Sequence, residues 1–347
     1  MQTLPPKARS VGHLKRCAVL PRVLLTGAIA WVLAAGGCEQ ADPHDARPID
    51  VRVQFGGVGH ADGEIVYPRA IDNDGESLWI IDKSARVHQF SFDGEFLGGW
   101  IMPAYDRGKP VGVTCGPDGN VYIADTHEYR IAVFSPDGEL LDAWGTYGEE
   151  PGQFRYVTDV AIIPDEHGEP DRFYVTEYGG NDRVTVFDRD HEVLFTFGRF
   201  GAAEESDGIA FMRPQSIIYE PERNELIVAD AGNHRLGRFT PEGELIGWVG
   251  REDGLPSRDP GGFGYPYGLA LVGDGTLLVS EFGTNRVQHI DPVTGEGLAI
   301  YGVGGRGEGE LAYPWGVTIA DGRPWVLDSG NHRVYGFRLA GGGMLGW

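Results

Sequence analysis

The sequence predicts an all-β protein, a six-bladed β-propeller with four antiparallel strands in each blade. Two observations lead to this prediction. An acidic residue followed four to six positions later by an arginine recurs six times, at intervals of 43 to 53 residues. A period in this range is typical of repeat architectures. Short runs rich in Val, Ile, Phe, Tyr and Trp fill the rest of each repeat, and Gly, Asp and Pro bound them, which is the pattern of β-strands.

Each repeat is predicted to contain its four strands in the same order. The first strand follows a proline in five repeats, as in YPRAI from Tyr67 and YPWGV from Tyr313. The second strand ends at the acidic residue and the third begins at the arginine. The fourth ends in an aromatic residue, such as Trp144 or Phe197. Six repeats then supply about 24 strands, which suit a closed ring with only short outer edges.

The acidic residue and the arginine of one repeat are predicted to form a structural ion pair. They flank a loop between antiparallel neighbours, so the guanidinium can reach the carboxylate across that loop. Six equivalent copies indicate a structural role; the alternative is a ring of arginines around an anionic ligand. The pairs are Asp82 with Arg86, Asp125 with Arg130, Glu177 with Arg183, Asp230 with Arg235, Glu281 with Arg286 and Asp328 with Arg333.

The sequence contains one predicted outer strand more than six four-stranded blades require. Val51–Phe55 has the pattern of an outer strand, and an outer strand of the sixth repeat would also end at Trp347. We predict that Val51–Phe55 joins the last blade beside the C-terminal repeat. Both ends of the chain would then share one sheet, and an open edge would be covered.

The repeat resembles the NHL repeat. The segments ADAGNHR at 229–235 and LDSGNHR at 327–333 show the resemblance best, together with the connector GTYGEEPGQF at 145–154. The resemblance covers residues 51–347 and implies a six-bladed propeller. It leaves the function open, because propellers host enzymes and scaffolds alike. The first and third repeats depart most from the pattern, with a shortened loop in the first and an insertion at 164–172 in the third.

The first 50 residues are predicted to lie outside the propeller. Five basic residues precede the apolar run Val23–Ala35, which is too short to span a bilayer, and small residues then lead to Cys38. This arrangement resembles a bacterial lipoprotein signal; the alternative is an ordinary secretory signal with a coincidental cysteine. We expect residues 1–37 to be removed and Cys38 to be acylated. Residues 38–50 would tether the propeller to a membrane of the cell envelope, facing the periplasm or the exterior.

Charge and cysteine content restrict the partners. The chain has a formal net charge of −22. An acidic surface repels nucleic acid and anionic membranes, so we expect neither as a partner and a membrane contact only through the lipid. Once Cys17 leaves with the signal and Cys38 is acylated, Cys115 stands alone, and no disulfide can form within the mature chain. We expect a monomer without a cofactor.

Enzymes of similar fold suggest two metal sites as alternatives. The peptidylglycine amidating lyase, as the resemblance implies, holds zinc through histidines near the channel, but here Gln215 stands at the corresponding strand start. His127, His234 and His332 of alternate blades offer another histidine set. Calcium-dependent lactonases gather several acidic or amide side chains in the channel, where this chain offers Asp159 and Gln215. One carboxylate is too few for a cation that takes 6–8 oxygen ligands, so we expect no metal.

The channel mouth is the predicted binding site. It should be lined by the residues that open the inner strands: Arg69, Val111, Thr158, Asp159, Gln215, Tyr267 and Trp315. This mixture suits a small polar ligand or a peptide loop of a protein, with Tyr267 and Trp315 as apolar platforms. We expect a lipid-anchored binding module that uses its loop-rich face, which is formed by the connectors between blades and the loops between second and third strands. The alternative is a hydrolase or lyase with its site at the mouth.

Overall fold

The computed structural model describes residues 44–204 and 208–339. They build six sheets of four strands each, arranged as blades around a central channel. The predicted fold class is therefore confirmed. No helix within these two ranges is long and apolar enough to cross a membrane. The predicted signal peptide and the acylation site Cys38 lie outside the described residues.

The chain enters the propeller through β1 (Val51–Gly56) and then builds three blades in succession. Blade one contains β2 (Pro68–Asn73), β3 (Leu78–Asp82), β4 (Arg86–Phe90) and β5 (Phe96–Ile101). Blade two contains β6 (Gly112–Cys115), β7 (Val121–Asp125), β8 (Arg130–Phe134) and β9 (Leu140–Trp144). The next connector forms a parallel pair, β10 (Thr146–Tyr147) with β11 (Gln153–Phe154). Blade three contains β12 (Tyr156–Pro164), β13 (Pro170–Tyr178), β14 (Arg183–Asp188) and β15 (Val193–Phe197).

The second half of the ring repeats this plan. A second parallel pair, β16 (Arg199–Phe200) with β17 (Ala210–Phe211), leads into it. Blade four contains β18 (Pro214–Glu220), β19 (Glu225–Asp230), β20 (Arg235–Phe239) and β21 (Leu245–Gly250). Blade five contains β22 (Pro266–Val272), β23 (Thr276–Glu281), β24 (Arg286–Ile290) and β25 (Gly297–Tyr301). Blade six contains β26 (Val317–Ala320), β27 (Arg323–Asp328) and β28 (Arg333–Phe337), and short 3-10 turns follow β19 at Ala231–Asn233 and β27 at Ser329–Asn331.

The second strand is the most deeply buried element in blades one, two and four. All residues of β3, β7 and β19 are buried, because such a strand lies between two strands of its own sheet and between two neighbouring blades. This explains why its sequence is a continuous apolar run rather than an alternating one. The outer strand β5 instead alternates between half-buried and exposed positions, as a strand with one solvated face does.

Two sets of contacts close the ring. The inner strands β2, β6, β12, β18, β22 and β26 contact one another in this order, and β26 packs back against β2. In blade six, β1 pairs antiparallel with β28, with Phe55 opposite Val334. The N-terminal strand is therefore the outer strand of the last blade, and the prediction made for Val51–Phe55 is confirmed.

The acid–arginine motif forms an ion pair in all six blades. The distances from arginine nitrogen to carboxylate oxygen lie between 2.6 and 3.0 Å. In five blades both partners also bind the connector that precedes the blade. In blade four, for example, Asp230 accepts the Met212 N–H at 2.7 Å and Arg235 donates to the Ala210 carbonyl at 2.7 Å. The predicted structural role is confirmed: the ion pair forms in every blade, and in five blades it also holds the preceding connector against the blade.

Candidate functional site

A central channel of about 470 Å³ runs between the inner strands. All seven residues predicted for the channel mouth line its wall: Arg69, Val111, Thr158, Asp159, Gln215, Tyr267 and Trp315. They lie at or next to the starts of the inner strands, on the side of the pinned connectors. The structure thus brings the predicted residues together, and their binding of a ligand stays a prediction.

In four blades, the residue directly before the inner-strand proline adopts a left-handed backbone conformation. These residues are Tyr67, Arg213, Tyr265 and Tyr313, with φ between 51° and 57°. Bulky residues rarely hold this conformation, and such strain is found mainly where surrounding contacts enforce it, often at functional sites. The enforcing contact here is a hydrogen bond from the backbone N–H of each residue to a loop side chain of the preceding blade.

Two histidines of the repeat motif supply this hydrogen bond. Nδ1 of His234 accepts the Tyr265 N–H at 3.0 Å, and Nδ1 of His332 accepts the Tyr67 N–H at 3.0 Å. A neutral imidazole whose Nδ1 accepts carries its proton on Nε2. Burial lowers the pKa of His234, which favours this neutral form. These histidines therefore hold connectors in place, and no group of three or more His, Cys, Asp or Glu suited to a metal ion occurs among the described residues.

Cations and aromatic rings form a continuous series across the mouth. The Arg69 guanidinium lies 5.5 Å from the ring centre of Trp315, and the Trp315 and Tyr267 rings are 5.0 Å apart. The Arg213 guanidinium lies 5.8 Å from the Tyr267 ring and 5.0 Å from the Tyr178 ring. Cation–π contacts stabilise the Arg69 and Arg213 guanidinium groups beside these rings. The mouth therefore has apolar walls and two basic groups.

Four side chains of this series and its surroundings each have a buried polar atom without a hydrogen-bond partner. The atoms are Nε of Arg69, Nε of Arg213, Oε1 of Gln215 and Nε1 of Trp315. Gln215 is only 4% exposed, so its amide oxygen is withheld from bulk water. Buried polar atoms without partners are uncommon in native proteins, and each calls for an explanation. Four of the nine such atoms among the described residues therefore lie at this mouth.

Thr158 and Asp159 lie in the channel wall but take part in contacts between blades. Thr158 is fully buried, and its hydroxyl donates to the Pro214 carbonyl of blade four at 2.8 Å. The Asp159 carboxylate accepts the Ser216 hydroxyl at 2.7 Å and the Ile217 N–H at 3.2 Å. Burial raises the pKa of Asp159 to about 7. Both residues join blade three to blade four and lie apart from the cation–aromatic series.

Two residues that contact the lining of the mouth escape the sequence prediction: Arg213 and Tyr67. Tyr67 packs edge-on against Trp315, with ring centres 6.1 Å apart, and Arg213 lies between Tyr267 and Tyr178 in the cation–aromatic series. Both directly precede the proline that opens an inner strand. A signal for them exists in the sequence, because a tyrosine, arginine or lysine stands before that proline in all five repeats that have one. Their direction into the mouth depends on the left-handed backbone, which the repeat pattern does not reveal.

Comparison with known proteins agrees with this architecture. Residues 311–337 match the NHL repeat. Peptidyl-alpha-hydroxyglycine alpha-amidating lyase 1 of Drosophila melanogaster is 26% identical over 242 residues, which cover 57% of this chain and 44% of the fly protein. NHL repeat-containing protein 3 of Mus musculus is 26% identical over 199 residues, covering 53% and 52% of the two chains. The chain therefore contains an NHL repeat at residues 311–337 and has a six-bladed β-propeller fold.

Solved structures share the fold at low identity. A streptogramin B lyase superposes with a TM-score of 0.54 and 16% identity, covering 83% of this chain and 87% of that one. A protein of unknown function from Bacteroides thetaiotaomicron superposes with a TM-score of 0.63 and 18% identity, covering 83% and 76%. The chain spans 44%, 25% and 21% of the three amidating enzymes among its curated relatives.

Proposed function

We propose that this protein is a binding module that takes a small ligand or a peptide segment at its channel mouth and performs no chemistry on it. The observation that supports this most is the set of four buried polar atoms without partners on Arg69, Arg213, Gln215 and Trp315. A bound molecule that satisfied them would remove the cost of burying each one, roughly 1–3 kcal/mol per group. The channel volume of about 470 Å³ also falls within the range of small-molecule sites.

The rigidity of the mouth supports a binding role. The acid–arginine pairs and the loop side chains of preceding blades hold the connectors in one geometry. A site that is formed before the ligand arrives avoids the entropy cost of ordering loops on binding. The aromatic wall is held by ring stacking, since Tyr267 stacks on Phe282 with ring centres 4.9 Å apart.

A lyase is the second candidate function. It is favoured by the names of similar proteins, an amidating lyase at 26% identity and a streptogramin B lyase of similar fold. The test is to incubate the protein with a peptidyl-α-hydroxyglycine and follow cleavage by mass spectrometry. Turnover that is lost on changing a mouth residue would replace the binding proposal, whereas an unchanged peptide supports it.

The predicted lipid anchor completes the proposal. Acylation at Cys38 would place the propeller at a membrane of the cell envelope, outside the cytoplasm, with its ligand drawn from the periplasm or the exterior. The sequence support is the basic segment, the short apolar run and the small residues before Cys38.

Binding at the mouth can be tested with a neutral aromatic probe. A chain that starts at residue 44 is titrated with indole-3-acetamide, and binding is followed by ligand-observed NMR. We expect Trp315→Ala to weaken binding about thirtyfold, because an aromatic anchor typically contributes about 2 kcal/mol. Tyr219→Ala is the matched control, since Tyr219 lines the opposite end of the same channel. Equal binding by the unaltered chain and Trp315→Ala would contradict a site at the mouth.

A further inference from the structure

We propose that the ligand of the channel mouth is an organic anion, a carboxylate joined to a flat apolar group, held between Arg69 and Arg213. This inference rests on the proposed function and deepens it, because it names the chemical class of the ligand. The argument depends on three features of the described residues: the lack of ion pairs at both arginines, the charge around them and the aromatic wall that connects them.

Neither guanidinium has an ion pair in the part of the chain that the structure describes. The carboxylates that interact electrostatically with them, Asp82 with Arg69 and Asp182 with Arg213, already accept hydrogen bonds from other groups. Asp82 accepts the Val66 N–H at 2.9 Å and pairs with Arg86 at 2.9 Å. Asp182 accepts the backbone N–H groups of Gly179, Gly180 and Arg213 itself. The two cations at the mouth therefore differ from the six arginines of the repeat motif, all of which have a carboxylate partner.

Charge at the mouth favours an anion. Burial lowers the pKa of the Arg69 guanidinium, and the nearby Arg213 cation lowers it further. Asp82 and two tyrosines act in the opposite direction, but the two guanidinium groups are close enough to repel each other. A carboxylate between them would remove the repulsion and accept charge-assisted hydrogen bonds from groups such as the free Nε atoms. The contrast with the whole chain, whose net charge is −22, makes the basic mouth a specific feature.

The aromatic wall identifies the rest of the ligand. Trp315, Tyr267 and Phe282 form a cluster with ring centres 4.9 to 5.7 Å apart. Such a surface takes a flat apolar group, because aromatic faces and edges pack well against another ring. The buried Oε1 of Gln215 has no hydrogen-bond partner, so an N–H or O–H on the ligand could donate to it and complete the set. A small aromatic acid and a peptide end with an aromatic final residue both meet these requirements.

The test compares each acid with its neutral amide. The chain starting at residue 44 is titrated by calorimetry with indole-3-acetate and indole-3-acetamide, and with acetyl-Ala-Ala-Trp ending in either a carboxylate or an amide. We expect the acid of at least one pair to bind about tenfold or more tightly than its amide, since hydrogen bonds to charged groups contribute about 1.5–3 kcal/mol. The pair that shows this preference distinguishes a free small acid from a chain end.

Arginine variants test whether Arg69 and Arg213 cause the preference for the acid over the amide. Arg69→Met and Arg213→Met should each weaken acid binding about tenfold and weaken amide binding less, so that the ratio of acid to amide affinity falls toward one. Arg323→Met is the matched control. The Arg323 guanidinium also lies over a tryptophan ring, 5.6 Å from the centre of Trp325, but it pairs with Asp321 at 2.6 Å and does not line the channel. We expect no change in this variant.

The outcomes separate the two proposals. Equal binding of acid and amide in both pairs, with loss in Trp315→Ala, would overturn the anion inference and leave the binding function standing. No binding by any of the four probes would overturn both. If an arginine variant fails to fold, as its melting curve would show, the acid–amide comparison on the unaltered chain still decides.

Discussion

Arginine residues of this protein occur in two opposite surroundings. The six motif arginines each meet a buried carboxylate and, in five blades, a connector carbonyl, as Arg235 does with Asp230 and Ala210. Arg69 and Arg213 meet aromatic rings and have no carboxylate partner among the described residues. The same side chain therefore stabilises the fold in one surrounding and, as we propose, binds a ligand in the other. The difference lies in whether the chain itself supplies the counter-charge.

Arg235→Ala should lower the stability of the fold strongly. The Asp230 carboxylate is fully buried and pairs with Arg235 at 2.9 Å, and the guanidinium also lies 3.5 Å from the ring centre of Trp248. Removing one partner of a buried pair leaves an uncompensated charge and typically costs about 3–5 kcal/mol. Urea unfolding followed by tryptophan fluorescence measures this loss.

The control for this prediction is Arg323→Ala. Its pair with Asp321 is partly exposed, with 29% and 48% of the two side chains accessible. Such pairs contribute about 0–1 kcal/mol. Equal losses in the two variants, or a loss of ligand binding without a loss of stability in Arg235→Ala, would contradict the structural role of the motif.

The element that completes the propeller is β1. It pairs with β28 over Val51–Gly56, and the Phe55 ring packs 4.6 Å from Phe90 of blade one. A single strand thus covers the open edge of blade six and also joins the last blade to the first. This double role explains why a strand distant in sequence belongs to the blade.

A chain that starts at residue 58 should melt at a lower temperature than one that starts at residue 44, and it should aggregate more readily. The exposed edge of β28 would offer unpaired backbone groups to other molecules. Differential scanning fluorimetry and light scattering measure both effects. A synthetic peptide of residues 44–57 should restore the melting temperature when added in excess. Identical melting curves for the two chains would show that β1 is dispensable.

At the scale of the whole molecule, the predicted lipid anchor would determine where the propeller acts. Cys38→Ser should prevent acylation, because the thiol is the acceptor of the lipid in the signal that the sequence resembles. Full-length protein is produced in a bacterial host with a radiolabelled fatty acid, and incorporation is read from a gel. Cys115→Ser is the control, since this half-buried thiol lies on β6 inside the propeller. Label retained in Cys38→Ser would refute the assignment.

The sequence by itself determined the architecture of this protein. The recurring acid–arginine spacing predicted six blades and six ion pairs, and the strand pattern of Val51–Phe55 predicted how the ring closes. The seven residues that open the inner strands were also predicted to line the channel, and they do. All of these features are written into each repeat locally, through strand periodicity and turn residues, so they can be read without knowledge of distant contacts.

Only the tertiary structure decided which of these side chains have polar atoms without a hydrogen-bond partner at the mouth and which form hydrogen bonds within the protein. Thr158 and Asp159 start an inner strand as Arg69 does, yet their polar atoms meet partners in blade four. Arg213 was not expected at the mouth. Its left-handed backbone depends on a hydrogen bond from its N–H to Asp182 in another blade. The physical reason is that a polar side chain of one blade often finds its hydrogen-bond partner in the neighbouring blade. A repeat pattern specifies the strands of each blade, but it does not specify which side chain the neighbouring blade places opposite them.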